Sequence, residues 1–505
     1  MTSTVKSPTG VKVQTFAYEN FQGLDTSRDV TSLDTGKNQH LTLVKNASCD
    51  WRGQIVRDPA AFQKAGERTV EHIRFYSPDN YCWVERTGAH LNIVADNGEL
   101  MDNAFPLDST VTTTVFNRDI HFASKGHPLV RYDGFEFTNN KSPYVDTLRP
   151  AYCTTTQSRL VIAGVPGKET TVFVSRVNQD EVWTEDETDD ALDNDALAAF
   201  EFDIGNYLGT ADSITGLGAF EQNRLVIFAA DRALIFRTDS DKERWLLDDN
   251  ANIFIGCASH NTIQNAGTDL LFCSRSGIHS IKRSEDNGIL VYSYSLSDKV
   301  DLLYRELFNS VQDKENISAV FDQDAGQYHV FFPQPGNELC RRLTLSLNPE
   351  SGEAQPKFST GDFLRARCGT FLNGELLFGT TGGVYQVLKP EDEKEGAHTP
   401  EMEVVTPLLW HGSLSDIKET SSLLLQAAGK GIVEIDAQDE HGRTIGSMRI
   451  EVDDTADDNY FADVPLSRQY ERKWSHRYRA AQYRIRTTGG QGLLRVIGFA
   501  VTVRK

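Results

Sequence analysis

The chain has 505 residues, 39% of them hydrophobic, enough for two or three domains with sizeable cores. Its formal net charge of −21 argues against a nucleic-acid clamp, which would carry basic patches. No run approaches the roughly 20 apolar residues that cross a bilayer, and the polar stretch Met1 to Phe16 lacks the apolar core of a secretory signal; the sequence therefore predicts folding in a cytoplasm, without a membrane anchor.

Residues 1–65 read as an extended polar arm with short strand signals such as Gln39-His-Leu-Thr-Leu-Val. Such an arm has too few apolar residues for its own core and is expected to wrap the body or a partner. Strands are then expected at Glu71-His-Ile-Arg-Phe-Tyr, Tyr81-Cys-Trp-Val-Glu-Arg and Leu91-Asn-Ile-Val-Ala. After these a phrase of turn, apolar run, turn and strand recurs, as in Gln157-Ser-Arg-Leu-Val-Ile and Gln222-Asn-Arg-Leu-Val-Ile. With Ile120, Leu160, Leu225, Leu271, Tyr328 and Leu376 as phase markers, the intervals are 40, 65, 46, 57 and 48 residues. Repetition at this period, with several short strands per unit, predicts an all-β chain with a β-propeller of about six to seven blades over residues 66–392.

The 65-residue interval holds an acidic insertion, Gln179 to Asp195, expected to be an exposed loop because its charges repel. Val300 to Ser310 is expected to be a helix with a stripe through Leu302, Leu303 and Leu307. Lys389 to Pro400 reads as a linker. Residues 401–505 alternate apolar and polar between Gly-rich turns, as in Ile432-Val-Glu-Ile-Asp-Ala, and predict a small antiparallel sandwich. Arg468 to Lys505 holds ten Lys and Arg and one acid, a local net of +9 that leaves −30 on the rest. That asymmetry reads either as a solvated face or as head-to-tail docking between copies.

Little of this carries chemistry. The seven cysteines, at 49, 82, 153, 257, 273, 340 and 368, are odd in number and lack CxxC spacing, so they read as small hydrophobes. Cys257-Ala-Ser-His260 reads as a packed thiol beside a loop imidazole rather than a metal pair. Asp322-Gln-Asp-Ala-Gly326 starts like a calcium loop but lacks the distal Glu; it reads as a hairpin turn, as does Asp436-Ala-Gln-Asp-Glu-His-Gly442. No phosphate loop, nucleophile elbow or zinc-protease motif occurs. No residue is assigned a catalytic, cofactor-binding or metal-binding role, and the chain is expected not to be an enzyme.

The arm runs Asn20-Phe-Gln-Gly-Leu-Asp-Thr-Ser and then Leu41-Thr-Leu-Val-Lys-Asn-Ala-Ser-Cys-Asp-Trp-Arg-Gly-Gln-Ile-Val-Arg-Asp-Pro59. This resembles the opening of the tail nozzle, tail-tubular and tail-hub proteins of short-tailed bacteriophages. Phe21, Gly23, Leu24, Asn46, Gly53, Ile55 and Arg57 fall on that family's plan, whereas Gln22 stands where glycine is common and Asp58-Pro59 replaces Pro-Gly. The resemblance implies a virion structural protein assembled in a bacterial host cytoplasm. It implies a homo-oligomeric ring, commonly a hexamer, below the portal-adaptor protein and in contact with tail fibre or spike proteins. Its lumen would retain packaged double-stranded DNA and then pass it during ejection without sequence-specific binding. An acidic wall suits such a conduit, since it repels phosphates. The alternative is a glycan-binding or glycan-hydrolysing propeller, with Tyr81, Trp83, Tyr132, Trp183 or Trp245 stacking on sugars instead of packing in the core.

Overall fold

The computed structural model describes residues 3–6, 12–29, 39–50, 52–139, 148–184, 195–208, 212–267, 269–281, 295–334, 340–347, 356–389, 392, 394–412, 415–453, 468–490 and 493–504. Among the described residues, seven antiparallel blades surround one axis. Blade one comprises Val70–Phe75, Tyr81–Arg86, His90–Ala95 and Leu100–Pro106; blade two, Thr112–Phe116, Asp119–Ala123, Val130–Tyr132 and Phe137–Asn139. Blade three is Tyr152–Thr156, Arg159–Val165, Lys168–Val174 and Phe200–Asp203, and blade four Ile214–Phe220, Arg224–Ala229, Ala233–Arg237 and Leu246–Ile253. Blade five has three strands among the described residues, Gln264–Asn265, Leu270–Ser274 and Gly277–Ser280. Blade seven is Cys368–Leu372, Glu375–Thr380, Gly383–Val387 and Ala61–Ala65. These six are separate sheets. Blade six, Ser318–Asp322, Gln327–Pro333, Cys340–Ser346 and Lys357–Gly361, is one end of a 16-stranded sheet.

The recurring phrase is the second strand of each blade, and all six phase markers are buried there, in blades two to seven. The reason is side-chain alternation. In blade three Leu160 and Ile162 pack toward blade two, whereas Val161 and Ala163 pack toward blade four. In blade four Leu225 and Ile227 face blade three, and Val226 and Phe228 face blade five. A strand buried on both faces has no solvent side, so it reads as a continuous apolar run. Asn117-Arg118, Gln157-Ser158 and Asn373-Gly374 each have two successive positive φ values, the two-residue hairpin that matches strand twist. The long interval holds the acidic insertion, between the third and fourth strands of blade three.

Blade three is held from inside by Arg159, which is fully buried. Its Nη1 donates to the carbonyls of Ser175 (2.7 Å) and Ala198 (2.8 Å), and its Nη2 to those of Ala196 (3.2 Å) and Ser240 (2.8 Å). One side chain thereby joins the second strand, the return from the insertion, and a loop of blade four. Blades seven and one are joined by Glu71, which accepts from Arg86 Nε (2.6 Å) and Arg367 Nη2 (2.9 Å).

The arm is part of the body. Ala61–Ala65, expected in the arm, is the fourth strand of blade seven and closes the ring, with Val387 opposite Ala61 and Val384 opposite Ala65. Lys12–Glu19 extends the C-terminal sheet beside Leu494–Arg504. Leu43–Lys45 lies between Lys357–Gly361 of blade six and Glu403–Val405 of the C-terminal region, so blade and sandwich share one sheet. The expected sandwich strands occur there. Its spine is Lys418–Asp439, which first pairs with Leu494–Arg504 and Arg468–Lys473, then with Thr444–Asp453 and Ala481–Thr488. The strand changes sheets at Gly429, where φ is +103° and a Cβ would meet the Leu493 carbonyl oxygen at 1.8 Å.

Two local expectations need correction. The helix Asp301–Ser310 buries Tyr304, Leu307 and Phe308, while Leu302 is 66% exposed. At about 100° per residue, positions 304, 307 and 308 share a face that 302 does not. The acidic insertion is also not wholly a solvated loop. Asp180 lies 3.6 Å and Glu181 3.4 Å from Arg131 Nη1, and Trp183 is buried; residues 185–194 lie outside the described residues. In the basic tail Arg477 approaches Glu419 at 3.5 Å, Arg486 pairs with Asp436 and Arg484 with Glu403. Part of its charge is therefore answered inside its own domain; acidic residues 454–467 lie outside the described residues.

Candidate functional site

The first strands of the blades line the axis, and there they enclose a channel of about 330 Å³. Most of its polar wall is uncharged: Thr113 and Thr114 from blade two, Thr154 and Thr155 from blade three, Asn261, Gln264 and Asn265 at blade five, Ser318 and Gln323 from blade six, and Thr370 from blade seven. Blade one differs. Its first strand presents His72 and Arg74 to the channel, while Ile73 between them packs into the seam with blade seven. No Asp or Glu is among the described lining residues, in a chain with 72 acidic residues.

Both channel histidines are neutral. His72 Nε2 lies 2.8 Å from Thr113 Oγ1, and burial pushes its pKa down to about 3, with Arg74 adding repulsion. His260 Nδ1 accepts from the Leu217 amide at 3.2 Å, its ring stacks on Tyr152, and burial with the Arg74 charge again pushes it down to about 3. The surrounding strands displace bulk water and lower the pKa of Arg74, although its side chain stays open to the channel. Arg74 makes no hydrogen bond or ion pair with any described residue. Among the described residues the channel thus offers one open cation and a ring of neutral hydrogen-bonding groups. Among the described residues it has no paired carboxylates of the kind glycoside hydrolysis uses, and burial pushes the Cys153 thiol up to about 12.

The sequence weighed His260 only as a loop imidazole beside Cys257 and Cys153 only as a small hydrophobe, and it did not single out His72 or Arg74 as site residues. A faint signal existed: Glu71-His-Ile-Arg places two large basic side chains two apart, where the equivalent strands read Thr112-Thr-Thr and Cys153-Thr-Thr. Nothing in the sequence marks that strand as the one at the axis.

Residues that the sequence did weigh have structural places. Cys257 Sγ donates to the Ser259 carbonyl at 3.1 Å, on a path separate from His260. Asp322 Oδ1 accepts from the amides of Asp324 (3.0 Å) and Ala325 (3.1 Å), the hairpin reading. Asp439 accepts likewise from His441 and Arg443, at 2.9 Å each. Tyr81, Trp83, Tyr132 and Trp183 are buried, and Trp245 packs on Phe200 and Phe202, so these rings are committed to packing.

Six of the seven leader residues join the arm to blade six or to the sandwich, and Gly53 packs within the arm. Phe21, Leu24 and Ile55 are buried in the core shared by the arm, blade six and the sandwich. Gly23 (φ +80°) lies where a Cβ would meet the Phe358 backbone at 2.9 Å. Asn46, at φ +52°, donates to Asp362 Oδ1 and the Glu401 carbonyl, both at 3.1 Å, and accepts from the Asp362 amide. Gly53 (φ +78°) backs onto Asn20 so closely that a Cβ would sit 2.5 Å from its Cα. Arg57 donates to the carbonyls of Gly489 (2.9 Å) and Gly490 (3.0 Å). Asp58, at a point of departure from the family plan, pairs with buried Arg342.

No family model and no curated protein matches the chain. Among solved structures it is similar to a streptogramin B lyase, at 12% identity over 65% of this chain and 95% of that one, with a TM-score of 0.37. It is similar to Raptor from Chaetomium thermophilum, at 11% identity over 66% of this chain and 30% of that one, TM-score 0.40. It is also similar to YCF48 bound to D1 peptide, at 8% identity over 67% and 97%, TM-score 0.38. Likenesses at this level concern the propeller fold and carry no argument about function.

Proposed function

We propose that this chain is a structural component of a bacteriophage tail, a nozzle or hub below the portal and adaptor. In this reading copies of the chain close into a ring, six in the family it resembles. The ring's lumen retains packaged double-stranded DNA and then conducts it. The observation that supports this most is the use of the seven leader residues. Six of them occupy joints between arm, blade six and sandwich, and Gly53 fixes the arm's own fold against Asn20, so the motif reads as an architectural device of a rigid tripartite subunit. A ring under packaging pressure needs such a subunit. The conduit would lie between subunits, because the propeller axis is a channel of only about 330 Å³ filled from all sides by side chains. The overall charge of −21 favours a wall from which DNA phosphates are repelled.

The test is single-particle imaging of the purified protein, alone and in virions. A six-fold ring with a lumen wide enough for duplex DNA is expected. Absence of the chain from purified virions would end the proposal.

A further inference from the structure

We propose that the axial channel of the propeller is a binding site for a compact oxyanion, a carboxylate or phosphate carried on a small molecule, held by Arg74. This goes beyond the tail reading and does not depend on it. The four buried arginines among the described residues all have partners. Arg159 has four carbonyl partners, Arg342 has Asp58, Arg367 has Glu71, and Arg57 has two glycine carbonyls. Arg74, surrounded by seven strands, has no partner among the described residues. Its side chain is exposed to the channel and has no described partner, and a negatively charged oxygen pair is the natural complement of a guanidinium.

The wall agrees. In so acidic a chain a random surface of this size would include carboxylates, yet this one has none among its described residues. The acid-free lining makes the channel a local positive island, and a carboxylate there would occupy Arg74 itself. Thr113, Thr155 and Gln264 reach the same space from three other blades and can donate to the remaining oxygens of an anion. The volume, about 330 Å³, is that of a small-molecule site.

The experiment is thermal unfolding and titration calorimetry of the full chain with inorganic phosphate, with citrate, and with sodium chloride at matched ionic strength. Saturable stabilisation by phosphate or citrate, above that given by chloride, is expected. Response to phosphate alone would identify a phosphate-bearing ligand, and response to citrate alone a carboxylate. Arg74→Gln should weaken binding at least tenfold and remove the thermal response. Its own melting temperature in anion-free buffer should equal that of the wild type, since the exposed side chain has no described partner to lose. Arg74→Lys should keep a weakened response. The proposal is overturned if phosphate and citrate act no differently from chloride, or if folded Arg74→Gln responds as the wild type does.

Discussion

Arg159→Ala provides the sharpest test of how the blades are held. The side chain is wholly buried and donates to four main-chain carbonyls, at 2.7, 2.8, 3.2 and 2.8 Å. Removing it orphans four acceptors at about 1 kcal/mol apiece and forfeits stem packing of about 2 kcal/mol, together about 6 kcal/mol. Against this stands relief from burying a charge: burial pushes the guanidinium pKa down to about 10, which is worth about 3 kcal/mol. The net expectation is a loss of about 3 kcal/mol. Arg159→Lys keeps the charge with fewer donors and should fall between. The assay pairs urea denaturation with amide exchange of Phe200–Asp203, the outer strand that follows the Ala196 and Ala198 carbonyls. Exchange there should accelerate before that of blades one and seven. A loss below about 1 kcal/mol with unchanged exchange would refute the reasoning, because it would mean that the carbonyls find other donors.

Other expectations follow from burial and backbone geometry. All seven thiols are buried, and burial pushes Cys257 up to about 11 and Cys49, Cys273 and Cys340 up to about 12. A disulfide-exchange reagent at pH 8 should label none in the native protein and all seven in denaturant; rapid native labelling would contradict the packing. Burial holds His121 down to about 3 and His279 and His476 down to about 4. The unfolded chain therefore binds more protons below pH 6.5, so their contribution is complete above 6.5 and is lost as pH falls toward those values. At pH 5 each should cost up to about 2 kcal/mol, checked by urea midpoints between pH 7 and 5; a flat profile would be incompatible with buried neutral imidazoles. Gly53→Ala should release the arm, since its Cβ would overlap Asn20 and its φ of +78° disfavours any side chain. Faster exchange of Phe21–Leu24 and Lys12–Glu19 is expected while blades two to five stay protected; uniform destabilisation would show that the arm and ring unfold as one.

The repeat was legible because each second strand is buried on both faces. Ile120, Leu160, Leu225, Leu271, Tyr328 and Leu376 had to lie in apolar runs at regular spacing. The sandwich strands were legible through alternation, with Val433, Ile435 and Ala437 inward. Local chemistry was enough for the Asp322 and Asp439 turns, whose carboxylates cap their own amides.

What escaped the sequence depends on contacts between distant positions. Nothing local says that Ala61–Ala65 pairs with Gly383–Val387 rather than trailing as an arm, because ring closure joins strands more than 300 residues apart. Leu43–Lys45 is three residues long, and only its two neighbours make it the bridge between propeller and sandwich. The helix stripe was misplaced by one position because Tyr304 and Phe308 were not counted among its apolar residues. The channel is the clearest case. His72 and Arg74 look in the sequence like the solvent face of an ordinary strand. Seven first strands from across the chain make that face an enclosed axis, and they leave one arginine there without a counter-charge among the described residues. Side-chain periodicity is a property of neighbours in sequence, and it determined the strands and blades; enclosure and charge pairing are properties of neighbours in space, and only the tertiary structure decided them.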